Sequence, residues 1–117
     1  MEVWATIDDP RMPLRQVPEY ARRAERIGFA GLFVPEAVHD GFLTAALALE
    51  HTERLHVATS VALAFPRSPT VTAYAAWDLQ TLSNGRFRLG LGSQVKGNVV
   101  GRFGVEWKPP VARMRDY

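Results

Sequence analysis

Between Glu2 and Gly92 the chain alternates short β-rich runs with helical stretches, and no tight turn joins two consecutive runs into a hairpin. This alternation constrains the fold more than any other feature. Strands separated by helices run parallel, because each helix carries the chain back to the end of the sheet from which it left, and such crossovers are right-handed. The strand-like runs are Glu2 to Ile7, Gly31 to Pro35, Leu55 to Val61 and Arg86 to Gly92. Gly31-Leu32-Phe33-Val34-Pro35 is apolar throughout, as in a strand covered on both faces. The predicted fold class is therefore α/β with a parallel sheet. Periodicity alone leaves open a doubly wound sheet and half of a (β/α)8 barrel.

The helices read with their boundaries. Val17, Tyr20, Ala21, Ala24 and Ile27 make one apolar stripe, with Arg22, Arg23 and Arg26 facing away. Pro18 suits the first turn, and Gly28 supplies a left-handed cap. Asp40 caps a helix predicted from Gly41 to Glu53. Ser68 and Pro69 open another that runs to Leu82, with Ala75, Ala76, Leu79 and Leu82 on one face, and Ser83-Asn84-Gly85 stops it. In the fourth strand Phe87, Leu89 and Leu91 are expected to face the helices, while Gly90 and Gly92 leave space on the other side. Gln94 to Pro110 contains Gly97, Gly101 and Gly104 without a clear period and reads as a long loop, before a last helix over Val111 to Tyr117. Trp4 and Trp77 read as packing residues, and Trp107 either packs or covers a ligand.

Composition removes several functions. The chain has no cysteine, which excludes disulfides, thiolate nucleophiles and thiolate metal sites. Its net charge of +2 is spread among interleaved acids and bases, with no basic stripe for a nucleic acid. No apolar run reaches the roughly 18 to 20 residues that span a bilayer, and Met1-Glu2-Val3-Trp4 does not open a secretory signal. A cytoplasmic location without nucleic-acid or membrane partners is the expectation.

In either parallel architecture, sites form at the carboxyl ends of the strands. That selects Ile7 to Arg11, Pro35 to Asp40, Ser60 to Arg67 and Ser93 to Asn98. Glu36, His39 and Asp40 suit an acid–base pair better than a metal site, because only one histidine is at hand. His39 titrates nearest neutrality of these groups. Gly90-Leu91-Gly92 lacks the third glycine of a dinucleotide fingerprint, so a small Rossmann-like nucleotide-binding domain is only an alternative.

Three blocks, taken in order, are more specific. The first is Tyr20-Ala-Arg-Arg-Ala-Glu25 followed by Ile27-Gly-Phe-Ala-Gly-Leu-Phe-Val-Pro-Glu36. The second is His51-Thr-Glu-Arg-Leu55 leading into Ala58-Thr-Ser-Val61 and Arg67-Ser-Pro69. The third is Ala75-Ala-Trp-Asp-Leu-Gln80, Leu82-Ser-Asn-Gly-Arg-Phe87 and Leu89-Gly-Leu-Gly-Ser93. Together they resemble the luciferase-like monooxygenase family, and in particular its deazaflavin-dependent branch.

The resemblance implies the first half of a (β/α)8 TIM barrel, with residues 1–117 forming a single incomplete domain. It implies an oxidoreductase or monooxygenase acting on a small organic substrate by hydride transfer or oxygen activation, with coenzyme F420 (a deazaflavin) favoured over the flavin FMN. It places a non-prolyl cis peptide at Ser60–Val61 behind the cofactor ring and an acid, Glu36, near it. Leu63, Ser93, Gln94 and Asn98 match further cofactor-contacting positions. Ala37 stands where many members carry a catalytic histidine, so His39 would take that role beside Glu36. Val95 replaces the catalytic acid of a sugar-phosphate-oxidising relative, which argues against that substrate. A full barrel takes about 250 residues, so the cofactor phosphate would be held by a missing half. The expected partners are that half or further copies of the chain. A non-catalytic half-barrel assembly module is the other alternative.

Overall fold

The computed structural model describes residues 1–117, and the strand–helix alternation is present as read. The apolar run at residue 31 forms strand β2 (Gly31–Val34), flanked by β1 (Trp4–Thr6) and β3 (His56–Thr59), with β5 (Phe87–Arg88) beyond β3. All these neighbours are parallel, with Phe33 level with Thr6 and Ala58, and Val57 level with Phe87. A second parallel pair joins β4 (Ala62–Leu63) to β6 (Leu91–Gly92). The third and fourth predicted strands are thus each two pieces. The third is interrupted at Ser60–Val61, whose peptide bond is cis, and the fourth at Leu89–Gly90.

Three helices cover one face of the sheet: α1 (Val17–Ile27), α2 (Gly41–Glu50) and α3 (Pro69–Leu82). Leu32, Val34, Val57 and Phe87 from the strands pack with Val17, Ala21, Ala45, Ala48, Leu49 and Leu79 in one buried core. Each large side chain withdrawn there contributes roughly 1.5 to 3 kcal/mol. The other face is open. Trp4 stacks on Phe33 with ring centroids 4.8 Å apart, and the Arg88 guanidinium lies 5.1 Å from the Trp4 ring. Gly31 is required beneath that ring, since a Cβ there would run into it. Phe33 remains 38% exposed on this face.

Several helix boundaries depart from expectation for local reasons. Helix α1 ends at Gly28 in the left-handed conformation as predicted, but Ile27 is exposed beyond the core stripe. Helix α2 stops at Glu50, before the predicted Glu53. There the Thr52 hydroxyl donates to the Ala48 carbonyl, Arg86 donates to the carbonyls of Leu49 and Leu55, and the Glu25 carboxylate accepts the N–H groups of Glu53, Arg54 and Leu55. Together these satisfy the orphaned ends that a longer helix would have satisfied itself. Helix α3 starts on the Ser68 cap and ends at Leu82 as read, although Leu82 and Trp77 are exposed rather than packed.

The expected loop after Ser93 contains a helix, α4 (Lys96–Gly101), followed by α5 (Pro110–Asp116). Val99 is fully buried against Ala64 and Phe65, with Trp107, Met114 and Tyr117 around them. This packing overrides the poor helix propensity of Gly97 and Gly101, and it settles Trp107 as a packing residue. The space expected beside Gly90 and Gly92 is also corrected. It is filled by the neighbouring strand: a Cβ at Gly90 would strike the Thr59 carbonyl oxygen, and one at Gly92 the Val61 side chain. No helix is long and apolar enough to cross a membrane.

Two outcomes follow from these contacts. Gly90→Ala is expected to destabilise the chain by at least about 3 kcal/mol, at or beyond the upper end of overpacking costs, because the opposing atom is backbone; urea denaturation measures this. Burial raises the Glu25 pKa, but the N–H groups of Arg54, Leu55 and Glu53 outweigh it and hold the carboxyl below its ordinary 4.5. Its contribution is therefore present above that value and lost as the pH falls through the folded value. Glu25→Ala should cost about 1 kcal/mol at pH near 7, and the gap from the parent should close in acid.

Candidate active site

Because all the strands are parallel, Pro35 to Asp40, Ser60–Val61 and Ser93 to Asn98 follow strand ends on the same side of the sheet. Glu36, Ser60 and Ser93 thus share the carboxyl end, as expected. What organises that end is Arg67. Its Nη1 donates to Glu36 Oε1 at 2.7 Å and to the Leu63 carbonyl at 3.2 Å, and its Nη2 donates to Asp40 Oδ2 at 2.6 Å. The guanidinium also lies 5.1 Å from the centre of the Phe42 ring. The Glu36 side chain is only 8% exposed, and its other oxygen accepts the Gly41 N–H at 3.2 Å.

Asp40 does two jobs. Its Oδ1 caps α2 by accepting the N–H groups of Phe42 and Leu43 at 2.8 and 3.0 Å, while Oδ2 holds Arg67. Burial pushes its pKa up, but the Leu43 N–H and Arg67 prevail and hold it below its ordinary value. Burial pushes Arg67 down, and hydrogen bonds to Glu36 and Asp40 more than reverse this. The cation and its two carboxylates lock the loop after β2 to the segment after β4.

Glu36 is thus held in place by its partners at this end of the sheet. Both its oxygens are committed, so it positions Arg67 and the α2 start. His39 is not in this cluster. It lines a small separate hollow with Asp9, Pro10, Met12, Pro35 and Thr44, beside the loop after β1. No group of three or more His, Asp or Glu side chains forms that could hold a metal.

Ser60 and Val61 are exposed at the break between β3 and β4. Thr59 supports that break from behind: its hydroxyl donates to the Gly90 carbonyl and accepts the Gly90 N–H, both at 2.9 Å. Beyond β6, Ser93 and Gln94 are half-buried and Asn98 is exposed on α4. Gln94 adopts φ 61°, and its side chain accepts the Val95 N–H. Leu63 differs from the others, because its side chain is buried and only its backbone borders the site, where the carbonyl accepts from Arg67. The tail closes one side: Arg102 donates to the Ala37 carbonyl, and the Arg113 guanidinium sits 4.2 Å from the centre of the Phe65 ring.

Arg67 and Thr59 are the residues that sequence reasoning missed. The signal for Arg67 was an unassigned cation at one strand end, with two acids, Glu36 and Asp40, at the adjacent end. Thr59 gave no signal, because a threonine in a β-branched run is ordinary.

Known proteins agree with this architecture. The family model for luciferase-like monooxygenases matches residues 1–117. An uncharacterised protein of Mycobacterium tuberculosis is 45% identical over 104 residues, covering 89% of this chain and 31% of its own length. A proposed coenzyme F420-dependent oxidoreductase of the same organism is 37% identical over 106 residues, covering 90% of this chain and 30% of its own length. Among solved structures, the oxygenating constituent of 3,6-diketocamphane monooxygenase from Pseudomonas putida, in complex with FMN, superimposes with a TM-score of 0.83. It is 19% identical and covers 99% of this chain and 38% of its own. The chain thus spans about a third of the length of the curated relatives it matches, and its fold matches the amino-terminal part of the solved barrel, of which it covers 38%. With the match extending over every residue, the chain belongs to the luciferase-like monooxygenase family.

Proposed function

We propose that this chain forms one wall of the cofactor pocket in an oxidoreductase that uses a reduced flavin, with the deazaflavin coenzyme F420 preferred over FMN. The observation that carries this reading is the exposed Ser60–Val61 segment, backed by Thr59 and Gly90, at the same sheet end as Ser93 and Asn98. Val61 presents an apolar surface to one side of a flat ring. Ser60, Ser93 and Asn98 offer uncharged hydrogen-bonding groups to its polar edge. The donor set therefore fits a planar heterocycle. The preference for the deazaflavin is supported by the relative named for that coenzyme, which is nearer in sequence than the FMN complex.

When bound, such a cofactor supplies hydride transfer or oxygen activation, and the protein supplies orientation and exclusion of water. Val61 and the backbone of Leu63 and Gln94 border the ring. Arg67, held by Glu36 and Asp40, fixes the loops that carry them. His39 is the proton-transferring group toward a small organic substrate entering beside the loop after β1. Arg67 and Arg102 are engaged within the chain, so a cofactor phosphate would be held by other groups.

A chimera tests this directly: the chain replaces the matching segment of the 45%-identical relative. It should bind the deazaflavin at least about tenfold more tightly than FMN, a difference of about 1.4 kcal/mol. The 117-residue chain alone should bind either cofactor weakly, having no phosphate clamp, whose hydrogen bonds contribute about 1.5 to 3 kcal/mol each. A chimera that folds and prefers FMN removes the deazaflavin assignment; one that folds and binds neither removes the pocket. Within the chimera, Arg67→Met should lower stability by roughly 3 kcal/mol, as expected for stranding a buried carboxylate. His39→Gln should lower kcat while leaving cofactor affinity unchanged.

A further inference from the structure

Layers of inward side chains fill the interior of a (β/α)8 barrel, which is packed and not a pore. The open face of this sheet supplies part of that filling, and its register divides it into two layers. Trp4, Gly31 and His56 are level with one another, and Thr6, Phe33, Ala58 and Arg88 form the next layer toward the carboxyl end. The stacked rings of Trp4 and Phe33 suit such an interior. Arg88 does not, because it brings a full charge to it.

The chain gives the other arginines near these strands polar partners. Arg67 holds Glu36 and Asp40, and Arg86 turns back to the carbonyls of Leu49 and Leu55. Arg88 has no hydrogen bond or ion pair of its own, and its guanidinium rests 5.1 Å from the centre of the Trp4 ring. No acid stands in either layer, and Glu2, just ahead of β1, is exposed and makes no ion pair. Arg88 is solvated while the face is open. Withdrawing it from water without a counter-charge is strongly unfavourable, and a ring face is a weaker partner than a carboxylate.

We infer that Arg88 is the cation of an ion pair inside the finished barrel, and that its carboxylate comes from an inward strand position of the half that completes the barrel. The occupant of the open face is thus a sheet with an aspartate or glutamate opposite the layer of Thr6, Phe33, Ala58 and Arg88. Length leaves room for it, since this chain covers 38% of the solved barrel and 31% of a curated relative. Charge excludes a second copy, which would set arginine against arginine with no acid in either layer. Arginine also fits the place better than lysine. Its planar fork lies on the Trp4 ring while its edge presents N–H groups to both oxygens of a carboxylate. Arg88 therefore discriminates among completing halves, because one without the acid leaves a buried charge unpaired. The inference rests on the barrel fold and not on the cofactor reading.

The test uses the completed barrel without cofactor. By urea denaturation at neutral pH, Arg88→Met should lower the folding equilibrium constant at least about 100-fold, because it strands the partner carboxylate. Arg88→Lys, which keeps the charge, should recover most of that loss. Pairing holds the carboxyl low in the parent, and burial raises it in Arg88→Met. The gap between the two is therefore present above the ordinary carboxylate range and should close as the pH falls and the carboxyl is protonated. His56 is the other titratable side chain in these two layers, so the closing should persist in a His56→Gln background. Variants of Arg88→Glu selected for recovered folding should carry an acid-to-lysine or acid-to-arginine change at an inward strand position outside residues 1–117. This selection carries the test should Arg88→Met fail to fold. An Arg88→Met barrel as stable as its parent, a gap that does not narrow in acid, suppressors confined to residues 1–117, or two copies pairing across this face would each overturn the proposal.

Discussion

The structure depends on a parallel sheet that is covered on one face and open on the other. Leu32, Val34, Val57 and Phe87 are withdrawn almost completely beneath the helices, and their burial drives every crossover to the same side. Once the crossovers are fixed, the strand ends are fixed too. All the loops that leave the strands gather at one edge and all those that return gather at the other. Function and stability are separated along that axis.

The polar contacts follow the same division. At the amino end of the strands, Glu25 and Arg86 bind backbone groups of the turn that joins α2 to β3. These contacts close helix ends and hold connections without presenting anything to a ligand. At the carboxyl end, Arg67 binds two carboxylates and a carbonyl from different segments, so the loops there are rigid relative to one another. Between them the exposed Ser60–Val61 segment stands supported by the Thr59 hydroxyl and by Gly90. In the proposed function, this segment would orient a planar group by shape and uncharged hydrogen bonds.

Much of this was legible in the sequence because it rests on local rules. The Ser68–Pro69 start of α3, the Gly28 end of α1 and the Asp40 cap of α2 each follow from the conformational preference of one or two residues. The apolar run at β2 marked a parallel strand, but the double cover it suggests is present on the helix side only, and Phe33 stays partly exposed on the other. What failed was whatever depends on a distant neighbour. Helix α4 forms across two glycines because Val99 reaches Ala64 and Phe65. The pairing of Glu36 with Arg67, far along the chain, needs the fold to bring the two strand ends together. Gly90 and Gly92 read as openings until Thr59 and Val61 fill the space beside them. Trp77 reads as a packing residue yet is exposed, because it lies on the side of α3 turned away from the buried Thr72 and Leu79.

The central claim is that the carboxyl-end edge, and not the amino-end edge or the glycine-bearing strand, is the cofactor wall. Hydrogen exchange of the completed barrel, with and without bound deazaflavin, measures this residue by residue. The account predicts added protection at the amides of residues 60–63 and 93–98, with little change at residues 52–55 and 83–86. Protection concentrated at residues 83–92, with residues 60–63 unchanged, would contradict it.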